Sequence, residues 1–220
     1  MDLKIKEKLN TETNYWNNYY KKHNTPCGPS LFAQFVYQNY LKHGKLLELG
    51  CGNGRDSIYF AQNKDLHIKA IDQADKQIAF LQTNYSRDNL HFFTADFTNL
   101  KDCSDLSYIY SRFTMHSIPE QDEKRILEWS YKNLKKDGYL LIESRSIHDP
   151  LYNTGGKVPG ENHAFITDHY RRFVKFEHLQ TKLKHLNFKV VYAEENTGFA
   201  PYEDTDPIII RIIAQKNVQG

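Results

Sequence analysis

The chain has 220 residues, 40% of them hydrophobic and 25% charged, with a formal net charge of +2. That length suits one α/β domain, and that apolar fraction is enough for a sizeable core. A nearly neutral chain sets up no strong field for docking on DNA or a lipid surface, and no apolar run approaches the length of a membrane span.

The opening MDLKIKEKLNTE is charged throughout and has no apolar h-region, which reads against a signal peptide. Cys27, Cys51 and Cys103 are odd in number and widely spaced, so they fit neither a disulfide framework nor a CxxC zinc pattern. The expectation is a cytoplasmic protein with reduced thiols. Two helices are expected first, over Leu3–Lys22 and over Ser30–Lys42, the second with Ser30 as cap and Phe32, Phe35, Val36 and Tyr40 at helical spacing.

From there strands and helices alternate. Strands are expected at Leu46–Leu49, Leu66–Ile71, Leu90–Thr94, Leu106–Ser111 and Tyr139–Ser144. Helices are expected at Arg55–Asn63, Ala74–Tyr85 and Pro119–Lys136, the last with Pro119 at its start and Gly138 beyond its end. Such alternation implies a parallel sheet covered on both faces. Ile147–Asp168 then reads as a long loop or insertion. A helix at Phe176–Leu186, a strand at Phe188–Glu194, a lid-like connection at Glu195–Pro207 and a strand at Ile208–Gln215 complete the chain.

The strongest signal is Leu46-Leu47-Glu48-Leu49-Gly50-Cys51-Gly52-Asn53-Gly54-Arg55-Asp56, in which an apolar strand runs into three alternate glycines and then a helix. The glycines allow a tight turn and close approach of a ligand, and the following helix N-terminus favours a negative group. Asp72 ends the next strand, where a carboxylate accepts ribose hydroxyls. Asp96 follows the third strand, placed to accept from an adenine amino group, with Phe97 beside it to pack on the ring. A nicotinamide site usually reads G-x-G-x-x-G. Here the third glycine comes one residue early, and Glu48 would repel a pyrophosphate while attracting a cationic donor. A plain glycine turn with both aspartates as caps explains any one of these features, but not all three at consecutive strand ends.

LLELGCGNGRDS, AIDQAD, TADF, YIYSRFTMHSIPE and LKKDGYLLIE together resemble the motifs of class I S-adenosylmethionine-dependent methyltransferases. The resemblance runs roughly from Gly44 to Lys216. It implies a Rossmann-like, doubly wound, seven-stranded and mostly parallel sheet whose last strand is antiparallel. It implies S-adenosylmethionine as cofactor, with Glu48, Gly50, Gly52 and Gly54 at the methionine end, Asp72 on the ribose, and Asp96 with Phe97 at the adenine. Arg55, Gln73, Ser111 and Tyr20 complete the cofactor set. The chain then reads as one methyltransferase domain over 1–220, with a helical cap at 1–43 and a substrate-side insertion at 147–172. YWNNYY, PSLFAQFV, SRFTMHS, DHYRRF and APYEDTDPIIIRI also look like methyltransferases found with bacterial surface-polysaccharide assembly, some of which act on phosphate-bearing glycan termini.

Ligands of open α/β sheets bind beyond the carboxyl ends of the parallel strands. That edge gathers Arg112 and His116 after the fourth strand, Arg145 and His148 after the fifth, and His163, His169, Tyr170, Arg171 and Arg172 from the insertion, with Tyr202 from the last connection. Arginine binds phosphate and carboxylate oxygens through paired N–H groups. The expected acceptor is therefore a small anionic or phosphate-bearing molecule, such as a glycan precursor, methylated on oxygen. His116, His163 and Arg112 are the candidate catalytic residues. A phosphate oxygen needs no base, whereas a hydroxyl or amine would give its proton to His116 or His163. His163 and His169 have poor zinc spacing, and no metal is expected. Thiol, chalcogen or other metabolite methylation remains an alternative, as does a non-catalytic S-adenosylmethionine-binding subunit. No Asn/Asp-Pro-Pro-Tyr motif follows the fourth strand and no basic stripe stands out, so nucleic acid is not the expected partner. Trp16, Tyr19 and Tyr20 either close over the cofactor and exclude water or simply pack as an extra helix, and a partial lid is the expectation.

Overall fold

The computed structural model describes the backbone of residues 3–217 and the side chains of residues 13–217. Two helices lead in, α1 (Leu3–Lys22) and α2 (Leu31–Asn39). Ser30 caps α2, its hydroxyl accepting from Ala33 N at 3.0 Å. Five strands and three helices then alternate: β1 (Gly44–Leu49), α3 (Arg55–Phe60), β2 (Leu66–Asp72), α4 (Asp75–Tyr85), β3 (Leu90–Thr94), β4 (Leu106–Arg112), α5 (Glu120–Asn133) and β5 (Leu134–Arg145). Three short strands follow, β6 (Gly156–Lys157), β7 (Ala164–Ile166) and β8 (Tyr170–Arg172), before α6 (Phe176–His185), β9 (Phe188–Asn196) and β10 (Ile209–Lys216).

The main sheet has seven strands in the order β3-β2-β1-β4-β5-β10-β9. β10 runs antiparallel to both of its neighbours, and the remaining pairings are parallel. This is the Rossmann-like arrangement anticipated above, with its antiparallel last strand. Strand alternation sends Leu46 to one face, against Phe32 and Phe60. It sends Leu47 and Leu49 to the other face, against Ile126, Leu127 and Leu179. Each face therefore has its own apolar core under helices. Glu48 shares the face of Leu46 and meets α3. The order reverses at β1, which pairs with β2 on one side and β4 on the other, and a crevice opens there beyond the strand ends.

Three boundaries differ from the sequence expectation. The helix expected to reach Lys136 stops at Asn133, because Leu134 is already buried in β5 and pairs with Leu106. Asp137 has φ 62, which kinks the strand so that Lys135 and Lys136 precede the main register. The helix expected to reach Asn63 stops at Phe60; Asn63 instead bonds Lys42 O and Asp65 N through its side chain. The expected loop over Ile147–Asp168 contains part of a separate three-stranded antiparallel sheet, β6-β7-β8. Among the described residues no helix is long and apolar enough to cross a membrane.

Candidate functional site

The glycine turn leaves β1 at the crevice. Gly50, Gly52 and Gly54 have φ of 65°, 55° and 77°, a region L side chains rarely enter. Two of these positions also need glycine for space. A Cβ on Gly50 would overlap Thr114, and one on Gly52 would overlap the Tyr20 hydroxyl. The turn is closed by Gly54 N donating to Cys51 O and Cys51 N donating to Ile71 O, both at 2.9 Å. Asp72 fastens it from the next strand, its Oδ2 accepting from Gly52 N and its Oδ1 from Ala74 N, each at 2.9 Å. Asp72 is buried, and burial pushes its carboxyl up against the opposing effect of those amides.

Two more carboxylates lie beneath the turn. Glu48 accepts from the Ser57 hydroxyl, and burial, with Asp56 nearby, pushes its carboxyl well above the ordinary range. Asp56 accepts from Ser30 N, Ser30 Oγ and Tyr110 Oη, all at 2.8 Å, and so ties α2 and β4 to the start of α3. Arg55 stands 3.8 Å from Asp56 through Nε. At the far end of the crevice Asp96 takes two bonds on Oδ1, from Thr98 N at 2.8 Å and Thr98 Oγ1 at 2.7 Å. Phe97 stands close to the Gly50 turn, and Ser111 is bonded to Thr114.

The C-terminal half of α1 spans this crevice. Asn17 Nδ2 donates to Asp75 Oδ1 at 2.9 Å, and Thr13 Oγ1 to Gln73 Oε1 at 3.4 Å. Trp16 stacks on Tyr20 at 6.0 Å between ring centroids and meets the His169 ring at 5.3 Å. Tyr15 Oη donates to Asp168 Oδ2 at 2.7 Å. The same helix therefore touches the glycine turn and the insertion. Asp168 Oδ1 also receives Arg171 Nη1 at 2.7 Å. Burial opposes ionisation of Asp168, but hydrogen bonds from Thr167, Tyr15 and Arg171 hold its carboxyl well below the ordinary range.

His116 is buried beside this bridge, 5% exposed, and its Nδ1 has no hydrogen-bond partner. Burial pushes its basicity well below the ordinary histidine value, and Arg145, His169, Arg171 and Arg172 push it further. Arg145 is partly exposed and gives Nη1 to the buried Asp149 Oδ2 at 2.6 Å. His116 thus feels the charges of Arg145, His169 and Arg171 at one edge.

The other sequence candidates are placed differently. Arg112 turns inward: its Nε donates to buried Glu143 Oε1 at 2.9 Å, and Arg211 Nε donates to Glu143 Oε2 at 2.7 Å. Arg172 is 5% exposed, pairs with Glu123 and donates to Ile118 O and Met115 O, both at 3.0 Å. The guanidinium groups of both arginines serve internal ion pairs, with Glu143 and with Glu123. His163 Nδ1 meets Tyr152 Oη at 2.8 Å, and its ring lines a different cleft with Glu120, Lys175, His178 and Lys182. Tyr170 is buried and donates to Glu161. His148 is exposed and lies 3.1 Å from Glu195 Oε2, and Tyr202 is 65% exposed.

Sequence reasoning passed over Asp168, Phe113 and the Arg112–Glu143–Arg211 network. Glu143 and Arg211, single charges inside apolar strands, were the available signal for the network. Among the described residues no group of three or more His, Cys, Asp or Glu could hold a metal ion.

A family model described as a methyltransferase domain matches residues 46–138. A phosphoethanolamine N-methyltransferase of Triticum aestivum is 31% identical over 169 residues, which cover 74% of this chain and 32% of that protein. The chain spans about a third of the length of the curated relatives it matches. Among solved structures, an S-adenosylmethionine-dependent methyltransferase of Methanosarcina mazei superposes with a TM-score of 0.71 at 20% identity, covering 84% of this chain and 98% of that one. The 1,6-didemethyltoxoflavin-N1-methyltransferase of Burkholderia thailandensis, solved with 1,6-didemethyltoxoflavin and S-adenosylhomocysteine, superposes with a TM-score of 0.65 at 15% identity, covering 85% and 77%. At such identities the structural likeness is one of fold.

Proposed function

We propose that the chain is a class I S-adenosylmethionine-dependent methyltransferase that methylates an oxygen of a small acceptor carrying a phosphate or another anionic group. The residues at the crevice fit the donor. The left-handed turn from Gly50 to Gly54 offers backbone groups to its amino-acid end, Asp72 keeps lone pairs for ribose hydroxyls, and Asp96 Oδ2 lies opposite the oxygen that caps the Thr98 turn. Glu48 beneath the turn supplies negative potential for a cationic ligand. Bound S-adenosylmethionine supplies a methyl group on a positively charged sulfur, open to in-line displacement.

The chain's own residues hold the two reactants in line and exclude water, which supplies on the order of 7–11 kcal/mol of barrier reduction. Arg145 and Arg171 bind the acceptor's anionic group through N–H donors beyond the single nitrogen each gives to an aspartate. The His116 ring would take the proton of an acceptor hydroxyl as that oxygen receives the methyl group, the bonding pair staying with the donor. Suppression of His116 basicity keeps the ring neutral and able to accept at neutral pH. We read residues 1–43 as a cap and 147–172 as the acceptor-side insertion of one methyltransferase domain. A phosphorylated sugar of the kind used in surface-polysaccharide assembly meets these requirements.

One observation carries the oxygen reading. The charged groups with the largest effect on His116 are Arg145, His169, Arg171 and Arg172, and the carboxylates beside them, Asp149 and Asp168, are already engaged by Arg145 and by Tyr15 and Arg171 rather than left to receive an ammonium. A second reading, methylation of a phosphate-bearing amine, is favoured by the wheat relative. Transfer of labelled methyl from the donor to phosphorylated sugars, carboxylates and phosphoethanolamine separates the two. Label on oxygen of an anionic acceptor supports the proposal. Label on phosphoethanolamine nitrogen replaces it with the second reading, and label only on uncharged thiols would remove both.

A further inference from the structure

Phe113 directly follows β4 and has φ 57, an unusual backbone state for a bulky side chain. Its N–H still donates to Glu143 O at 2.8 Å, so the backbone is anchored to β5 while it turns. The turn brings the ring against three groups. Arg112 Cζ lies 4.3 Å from the ring centroid and Arg145 Cζ 5.6 Å from it. The His116 ring meets it edge-on at 5.3 Å and 64°. Both guanidinium distances lie within the reach of attraction to a ring quadrupole. Arg112 belongs to the buried Glu143 network, whereas Arg145 and His116 belong to the acceptor edge. The Phe113 ring is the contact the two share.

We propose that Phe113 is a positioning residue, whose ring fixes the His116 imidazole and the Arg145 guanidinium at the acceptor edge, and whose left-handed backbone is the means of bringing the ring there. This rests on the reading of His116 and Arg145 given above. The ring also shields His116 from water. The charged groups with the largest effect on His116 are Arg145 at the end of β5 and His169, Arg171 and Arg172 in the insertion, where Asp168 pairs with His169 and Arg171. Removing the ring exposes His116 and also releases Arg145, whose positive charge lowers the His116 titration, so both changes move that titration upward.

The test uses Phe113→Gly, which suits a left-handed backbone and removes the ring, Phe113→Leu, which keeps bulk without a ring, and Phe113→Tyr, which keeps the ring. Two readouts need no acceptor: NMR titration of the His116 ring, and the affinity of inorganic phosphate for the protein saturated with S-adenosylhomocysteine. Phe113→Gly and Phe113→Leu are expected to raise the His116 midpoint and weaken phosphate binding by about fivefold. They should leave S-adenosylhomocysteine affinity within about twofold of wild type, and Phe113→Tyr should restore both readouts. A wild-type midpoint and phosphate affinity in folded Phe113→Leu would overturn the inference alone. No phosphate binding in the wild-type complex would remove the anionic-acceptor reading and this inference together.

Discussion

The Tyr20 hydroxyl occupies the space that a Cβ on Gly52 would take. This relationship joins α1 to the glycine turn and makes both residues part of one surface toward the donor. Gly52→Ala meets two penalties, a φ of 55° that costs about 1–2 kcal/mol for an L residue and a clash with Tyr20. We expect S-adenosylhomocysteine affinity to fall by at least about tenfold, roughly 1.4 kcal/mol, by calorimetry. Unchanged affinity would show that the donor does not use this turn.

Glu48→Gln separates charge from shape. The Glu48 carboxyl is pushed above its ordinary value of 4.5, so the folded protein binds more protons than the unfolded chain between the two values. Its contribution to stability is fully present below 4.5 and is lost as pH rises through the folded value. The variant should therefore gain melting temperature over wild type toward higher pH. It should also lose more affinity for S-adenosylmethionine than for the uncharged-sulfur product. Equal losses for the two ligands would remove Glu48 from charge recognition.

His116 has the opposite sign. Its ring resists protonation when folded, while the unfolded chain protonates near 6.5. Stability from this group is present above 6.5 and is lost as pH falls toward the folded value. His116→Gln should flatten that loss in melting curves. With an acceptor hydroxyl it should also lower kcat by about 10²–10⁴-fold, the usual worth of a general base. An unaltered kcat would show that the accepting oxygen is already ionised.

Tyr15→Phe deletes the Tyr15–Asp168 bond without removing the ring. If α1 closes over the donor, this variant and a truncation before Ser30 should weaken S-adenosylhomocysteine binding, the point variant by a few-fold and the truncation by more. About 1 kcal/mol is the size of one such bond to a charged acceptor at a partly exposed place. A folded truncation with wild-type affinity would make α1 mere packing.

Much of the frame was legible because its causes are local. Strand and helix alternation, the glycine triplet and Asp72 can be read from neighbours in sequence. What escaped depends on partners far along the chain. Arg172 looks like half of an exposed basic pair until Glu123, on α5, is folded against it. The strands of the insertion are two or three residues long, too short to show a period of two. His163 turns to Tyr152 through a backbone at φ 58, and Phe113 is turned by φ 57, conformations that no residue type announces. The early start of β5 follows from Leu134 pairing with Leu106, which overrode the helical signal of the lysines after it.

We propose that the turn from Gly50 to Gly54, closed by Asp72 and overlaid by Tyr20, receives S-adenosylmethionine. Calorimetry of the full chain with S-adenosylmethionine tests it most directly. Saturable binding at one site, weakened by about tenfold or more in Asp72→Ala, is expected. Well-folded protein giving no binding heat and no competition by S-adenosylhomocysteine would contradict it.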